Sequence, residues 1–506
     1  MARLHAPLTF APTRDEVAGV VGRLLDDGWR LAVVAAHEDV PGRRGATVDV
    51  FRLVYAFLRP GGPDGAGERA EVTLALPRAD AWYPSLASLS FTCERFEREV
   101  RDLFGIPVRD HPQPYRLTRH HNWPTGYHPM LADADPAPVF DANYPFPFVE
   151  IEGDGVYEIP VGPIHAGLIE PGHFRFTVVG ESILQMRSRL WFMHRGMEKL
   201  FEGRTPQDGL ALAERISGDT AVGHGLAFVM AVEDAAGIVV DERARVIRAL
   251  LLELERLYNH VGDLGAIVND VGYGIAKSHC DALKEDLLRH NKRLTGHRLL
   301  RGGVLLGGAR LLAAPEASLV ADVAARADEV ARVALEHPIV ANRVVDQAIL
   351  KRSSAEEFGA LGFVARASGV ATDARAEHPF VDLDSFELIT EPVGDVRARF
   401  EVRRRELAVS ARLVAELAVR LASEPETEPA VWTPQPGAGL GVVEGWRGTI
   451  VHRVELDADG TLARCKPVDP SFFNWPAIGP ALTDTIVPDF PLCNKSFNAS
   501  YAGNDL

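Results

Sequence analysis

Residues 241–268, DERARVIRALLLELERLYNHVGDLGAIV, place Val246, Leu250, Leu254, Leu257, Val261 and Leu264 at steps of three and four. That spacing puts every one of them on a single helical face. The stripe is roughly twice as long as an average globular helix, and it constrains the chain to bury it against other helices. Asp241 stands where an N-cap is wanted. Helical patterns recur over about 281–301, 316–336 and 396–422 with short connections between them, which implies a bundle.

The N-terminal stretch is organised differently. Residues 14–28 space apolar groups for one helix face, while 30–36, 47–57 and 70–76 read as strands, with Gly61-Gly62-Pro63-Asp64-Gly65 as a turn signal. Residues 81–105 read as helical and end at Gly105-Ile106-Pro107. Residues 111–160 are rich in Pro, His, Trp and Tyr and lack periodicity, as an extended linker would, with a short strand near Tyr157-Glu158-Ile159. From about residue 182 the pattern turns helical. Residues 423–445 are rich in Pro and Gly and read as a loop, and 446–465 as a hairpin turning at Asp459-Gly460. No internal repeat is present. The expectation is an α+β N-terminal domain over 1–120, an extended linker over 121–155, and a mainly α-helical bundle domain with a small β region over 156–506.

Charge and cysteine usage exclude several classes. The 506 residues carry 70 acidic and 54 basic side chains, a net charge of −16, which argues against nucleic acid as a partner. The basic run Arg397–Arg405 (RARFEVRRR), with Glu401 and Glu406, reads as a solvated helix face. No segment reaches the roughly twenty apolar residues of a membrane span, and no signal peptide is legible at the N-terminus. Cys93, Cys280, Cys465 and Cys493 are far apart, with no C-x-x-C pair, so zinc, iron–sulfur and disulfide frameworks lack support. A reducing, cytoplasmic setting fits.

Six strings carry candidate chemistry. Phe96-Glu97-Arg98-Glu99-Val100-Arg101-Asp102-Leu103-Phe104-Gly105 alternates charges, and on physics alone it reads as a solvated helix with i,i+4 ion pairs. Gly162-Pro163-Ile164-His165 and Glu170-Pro171-Gly172-His173-Phe174-Arg175 make tight turns that can present His165, Glu170 and His173 to a cleft. His194-Arg195-Gly196-Met197-Glu198-Lys199 precedes Glu214-Arg215-Ile216-Ser217-Gly218-Asp219-Thr220 and His224. Arg215 and His224 are costly to bury unpaired. They are candidates for a cavity wall beside Asp219, or for pairing with carboxylates such as Asp219 or Glu233. The chain ends in Asn498-Ala499-Ser500-Tyr501-Ala502-Gly503.

Together these strings resemble the family formed by [NiFe] hydrogenase large subunits and the respiratory complex I peripheral-arm core subunits. The E-R-E-x-x-D-L-F-G string resembles the small complex I subunit. The G-P-x-H…E-P-G-H-F-R string resembles the energy-converting, membrane-bound hydrogenases. The fusion resembles formate hydrogenlyase-type large subunits, and the likeness covers nearly the whole chain. In the hydrogenases the last two frames each carry a C-x-x-C pair, and four thiolates hold nickel and iron. Here those positions are Ser217, Thr220, Ser500 and Gly503. A neutral hydroxyl is a poor ligand for a thiolate-demanding metal, and glycine offers none. The position of a complex I quinone-ligating tyrosine falls on Gly218.

The resemblance implies a hydrogenase-related large subunit without nickel, peripheral at the cytoplasmic face of the cell membrane. It implies a small iron–sulfur partner subunit holding the cluster, antiporter-like membrane subunits, and no direct transmembrane span. No cofactor is expected on this chain itself. A quinone is the implied acceptor, NAD enters only at the level of the family, and Glu170 is the implied proton-carrying residue. A purely structural coupling subunit is the rival reading. An active [NiFe] hydrogenase is the reading that ligand chemistry disfavours most.

Overall fold

The long helix spans Glu242–Asp270, and its N-cap is Asp241, whose carboxylate accepts from the Ala244 N–H at 2.8 Å. The computed structural model describes residues 6–42, 46–61, 67–141, 151–165 and 169–506. The helix packs against Gly274–Thr295, Ala317–Glu336 and Val396–Ser423, the bundle expected from the periodicity. All six stripe residues are buried.

The N-terminal region is a four-stranded sheet in the order Leu8–Phe10, Glu68–Pro77, Val50–Arg59, Arg30–Asp39, parallel at the first pair and antiparallel elsewhere. The helices Val17–Asp26 and Phe91–Phe104 belong to the same region. The helix expected over 81–105 begins only at Phe91, where the Ser90 hydroxyl caps the Thr92 N–H. Residues 62–66 of the glycine-rich turn, and 142–150 of the linker, lie outside the described residues.

Three expectations need correction. First, Phe91–Phe104 is not a solvated helix: Arg95, Glu97, Glu99 and Asp102 are buried. Asp102 Oδ2 accepts from the backbone N–H groups of Leu117, Thr118 and Arg119 at 2.7, 3.0 and 3.2 Å, fixing the start of the linker. Glu99 takes the Lys466 ammonium at 2.7 Å, tying the helix to the far end of the chain. Only Glu94–Arg98 behaves as an i,i+4 pair.

Second, the basic run within Val396–Ser423 splits. Arg397 and Arg405 are exposed, whereas Arg399 and Arg403 are fully buried. Glu406 is also buried, between His260 and Arg366 at 2.7 and 2.8 Å.

Third, residues 423–445 are not all loop. Gly437–Gly445 is a strand, antiparallel to Gly448–Leu456, which pairs with Leu462–Val468. Its glycines fall at every second position because one face lies directly on helix Ala221–Ala236. A Cβ at Gly437, Gly439 or Gly441 would collide with the carbonyl oxygens of Ala235, Ala231 and Ala227. The hairpin does turn at Asp459-Gly460, with Gly460 at φ 78°.

The turn to helix also comes later than residue 182. A three-stranded antiparallel meander, Val156–Val161, His173–Val179 and Ser182–Arg189, precedes the helices. The C-terminal sheet lies between helix Ala221–Ala236 and N-terminal strand Arg30–Asp39. Arg52 pairs with Glu455 at 2.8 Å across that junction. Among the described residues no helix is long and apolar enough to cross a membrane.

Candidate functional site

The two frames meet. Ser217 lies just before helix Ala221–Ala236, and Ser500 begins the last helix, Tyr501–Asp505. Their hydroxyl oxygens are 2.9 Å apart. Ser217 also donates to Asp219 Oδ1 at 3.0 Å, as does Thr220 at 3.2 Å. Ser500 caps the last helix, accepting from the Gly503 N–H at 2.9 Å. The hydroxyls thus satisfy one another and their own backbone.

Asp219 is gripped by Arg447 at 2.6 and 2.7 Å, a bidentate pair. Burial alone would raise its carboxyl; the Arg447 guanidinium overrides that and holds it at about 2. Arg447 also donates to the Asn498 carbonyl at 2.6 Å, joining hairpin, first frame and C-terminal frame. Trp446 Nε1 donates to the Asp219 carbonyl at 3.0 Å. Asn498 donates to Asp263 at 2.7 Å, which pairs with Arg403 at 3.0 Å.

Gly503 faces a different neighbour. A Cβ there would stand 2.5 Å from Asp469 Oδ2. Asp469 is fully buried, with Oδ2 on His224 Nε2 at 2.9 Å and Oδ1 on the Ser471 N–H at 2.7 Å. His224 Nδ1 continues to His452 Nε2 at 3.0 Å. Burial would raise Asp469, but its bond and charge interaction with His224 keep it low. Burial, reinforced by His224, pushes His452 far below the ordinary histidine range. The fourth thiolate position is therefore occupied by a carboxylate from another strand end.

This donor set does not fit a nickel–iron centre. Three hydroxyls are engaged with each other or with Asp219, the fourth position has no side chain, and its space belongs to Asp469.

The first frame and the last helix open on a cavity of about 720 Å³. His165, Glu170, Ser217, Asp219, Arg447, Ser500 and Tyr501 line it, with Lys277 and Lys495 at other points of the wall. Glu170 Oε2 accepts from the Ala502 N–H at 2.9 Å, which anchors its loop to the last helix. His165 Nε2 donates to the Gly172 carbonyl at 2.8 Å. Burial keeps the Tyr501 phenol protonated up to about 12.

The candidate residues distribute unevenly. His165, Glu170 and Asp219 reach the cavity; His224 lies behind it on Asp469; His173 faces a different pocket across its strand. Arg215 is corrected: it is exposed and donates to the Ala211 carbonyl at 2.5 Å. The cation beside Asp219 is Arg447, and Glu233 pairs with Arg248. Sequence reasoning missed Arg447, Asp469 and Tyr501. Trp446-Arg447-Gly448 reads as an ordinary hairpin start and carries no local signal of this role.

Family models and known relatives match most of the chain. Residues 13–138 match the family model of the respiratory-chain NADH dehydrogenase 30 Kd subunit. Residues 195–262 match nickel-dependent hydrogenase, and 270–438 the respiratory-chain NADH dehydrogenase 49 Kd subunit. Formate hydrogenlyase subunit 5 of Escherichia coli (strain K12) is 33% identical over 84% of this chain and 77% of its own length. Hydrogenase-4 component G of the same organism is 32% identical over 95% and 84%. A chain of the membrane-bound sulfane sulfur reductase, an archaeal respiratory membrane complex, superposes with a TM-score of 0.64 at 25% identity, covering 70% of this chain and 99% of its own. The protein belongs to the family of hydrogenase- and complex I-related large subunits represented by formate hydrogenlyase subunit 5 and hydrogenase-4 component G, with its 30 Kd-like and 49 Kd-like segments in one polypeptide.

Proposed function

We propose that this chain is a peripheral core subunit of a membrane-bound, complex I-like oxidoreductase that works without a nickel–iron centre. Electrons arrive from an iron–sulfur cluster in a small partner subunit and reduce a quinone-like acceptor in the cavity. Antiporter-like membrane subunits couple the reaction to ion translocation. The complex sits at the cytoplasmic face of the membrane.

The observation that carries this reading is the cavity of about 720 Å³ walled by the former metal frames. Its size suits a ring-bearing ligand, and its wall supplies polar contacts instead of thiolates. Tyr501 offers a phenolic hydrogen to an acceptor carbonyl. Two-electron reduction of a quinone also takes up two protons. Asp219, held ionised by Arg447, is an acceptor and not a source of them. Glu170 stands at the wall as the residue that can pass protons inward.

The rival reading, a conformational coupling subunit with no redox site, draws on the same frame. The hydroxyls are mutually bonded and the Asp219–Arg447 charges cancel, so the site is complete without a ligand. Photo-affinity labelling of the assembled complex with an azido-quinone separates the two. The redox reading expects label on the segment around Tyr501, competed away by unlabelled quinone. Absence of competable label on this chain favours the coupling reading.

A further inference from the structure

Across strand His173–Val179 from the cavity lies a second pocket, of about 420 Å³. Strand alternation turns Phe174 toward the first and Arg175 toward the second. Six guanidinium groups line it, from Arg95, Arg98, Arg116, Arg175, Arg187 and Arg189, against one lining carboxylate, Glu94. Glu94 is committed to Arg98 at 2.7 Å, and Glu158 bridges Arg175 and Arg187. Arg189 donates to the Leu117 and Arg119 carbonyls among its contacts, and the last two, Arg95 and Arg116, form no ion pair among the described residues. Arg95 is buried and donates to the Phe472 carbonyl and to Asn504 Oδ1, the latter at 2.8 Å. Arg116, half-buried, donates to the carbonyls of His120 and Trp123, both at 3.2 Å. Carbonyl and amide oxygens satisfy the N–H groups of both without an ion pair, and the Phe472 and Trp191 rings lie against the Arg95 guanidinium at 4.3 and 5.2 Å. Burial pulls Arg95 down to about 10, with Glu94, Glu99 and Asp505 opposing it through space.

The rest of the wall sets the indoles of Trp191 and Trp475, with Phe91 and Leu190, beside polar groups such as Gln113 and Ser188. We infer that this pocket binds an anion with an apolar or aromatic body, of the phosphate monoester class. A dianion matches the two guanidinium charges without carboxylates, and planar forks take phosphate oxygens in pairs. A ring or chain stem matches the indole surfaces. The ligand comes either from solution, as a ring-bearing phosphate, or from a lipid headgroup. Its presence reaches the cavity through Arg95: Asn504 belongs to the last helix, Tyr501–Asp505, and Tyr501 lines the first cavity.

The test titrates phenyl phosphate, inorganic phosphate and dihexanoyl phosphatidic acid separately into the full chain and into the assembled complex, read by calorimetry and by tryptophan fluorescence. The expected result is saturable binding of phenyl phosphate or of the phosphatidic acid in both preparations. Arg95→Met and Arg116→Met each weaken it at least about tenfold. Arg116→Met, at a half-buried site, keeps the test valid where Arg95→Met fails to fold, as judged by circular dichroism. Tighter phenyl phosphate assigns a soluble source, and tighter phosphatidic acid a lipid one. Binding unchanged in the variants, no saturable binding of any probe, or equal affinity for inorganic phosphate alone (an adventitious ion only) overturns the inference. So does binding confined to the isolated chain, which assigns the pocket to a partner subunit.

Discussion

Ser217 and Ser500, 283 positions apart in the chain, hold their hydroxyl oxygens 2.9 Å from one another. The contact joins the turn before helix Ala221–Ala236 to the cap of the last helix, so the two frames that resemble hydrogenase thiolate pairs meet in space. The meeting point is closed by a hydrogen bond between hydroxyls.

That convergence predicts a cross-link. With the oxygens in contact, the Cβ atoms of a S217C/S500C variant fall near the range a disulfide needs. Mild oxidation should close it, giving a shift on a non-reducing gel that reductant reverses. A variant that folds but never cross-links would show that the two caps are not adjacent in solution.

Gly503 is expected to resist substitution because of Asp469. Gly503→Ala places a methyl 2.5 Å from a fixed carboxylate oxygen, a clash of the kind that costs about 1–3 kcal/mol. Thermal unfolding should show that loss, and it should shrink in an Asp469→Ala background. Equal losses in the two backgrounds would separate the residues. The same clash means that restoring four cysteines does not rebuild the metal site.

The Asp219–Arg447 pair sets an acid limb. Arg447 overcomes burial and lowers the Asp219 carboxyl from 3.8 to about 2. A depressed carboxyl contributes stability that is present above its unfolded value and lost as pH falls through the folded one. The stability gap between wild type and Asp219→Asn should thus be flat above about pH 4 and narrow toward pH 2. Because the Asp219 side chain is 40% exposed, the gap should be only on the order of 1 kcal/mol. Denaturant melts across that range measure it; a gap widening in acid has the wrong sign for this pair.

Glu170→Gln keeps the hydrogen bond to the Ala502 N–H and removes the titration. Turnover of the assembled complex should fall several-fold, in the range seen for lost general acid–base groups, with subunit composition unchanged on a native gel. Undiminished turnover would support a coupling subunit without its own chemistry.

The periodic elements were legible because burial enforces spacing: helix Glu242–Asp270, its Asp241 cap and the Asp459-Gly460 turn are all in the sequence. The frames were legible through the order of their motifs. Gly437–Gly445 was not, since glycines that normally signal a loop serve here to admit a helix backbone. Nor was the role of Phe91–Phe104, where alternating charges look solvated until the linker and, from far along the chain, Lys466 supply partners. Arg447 and Asp469 follow the same rule. A polar residue inside a strand or at its end carries no local sign of what it will face, and both find their charged or imidazole partner more than two hundred residues away.

A hydrogenase-like frame that holds no metal is tested by nickel and iron per chain in the assembled complex, purified from cells supplied with nickel, beside its hydrogen-uptake activity. The expected result is iron accounted for by the partner's cluster, nickel at background, and no hydrogen oxidation. Nickel stoichiometric with this chain, accompanied by hydrogen uptake, would contradict it.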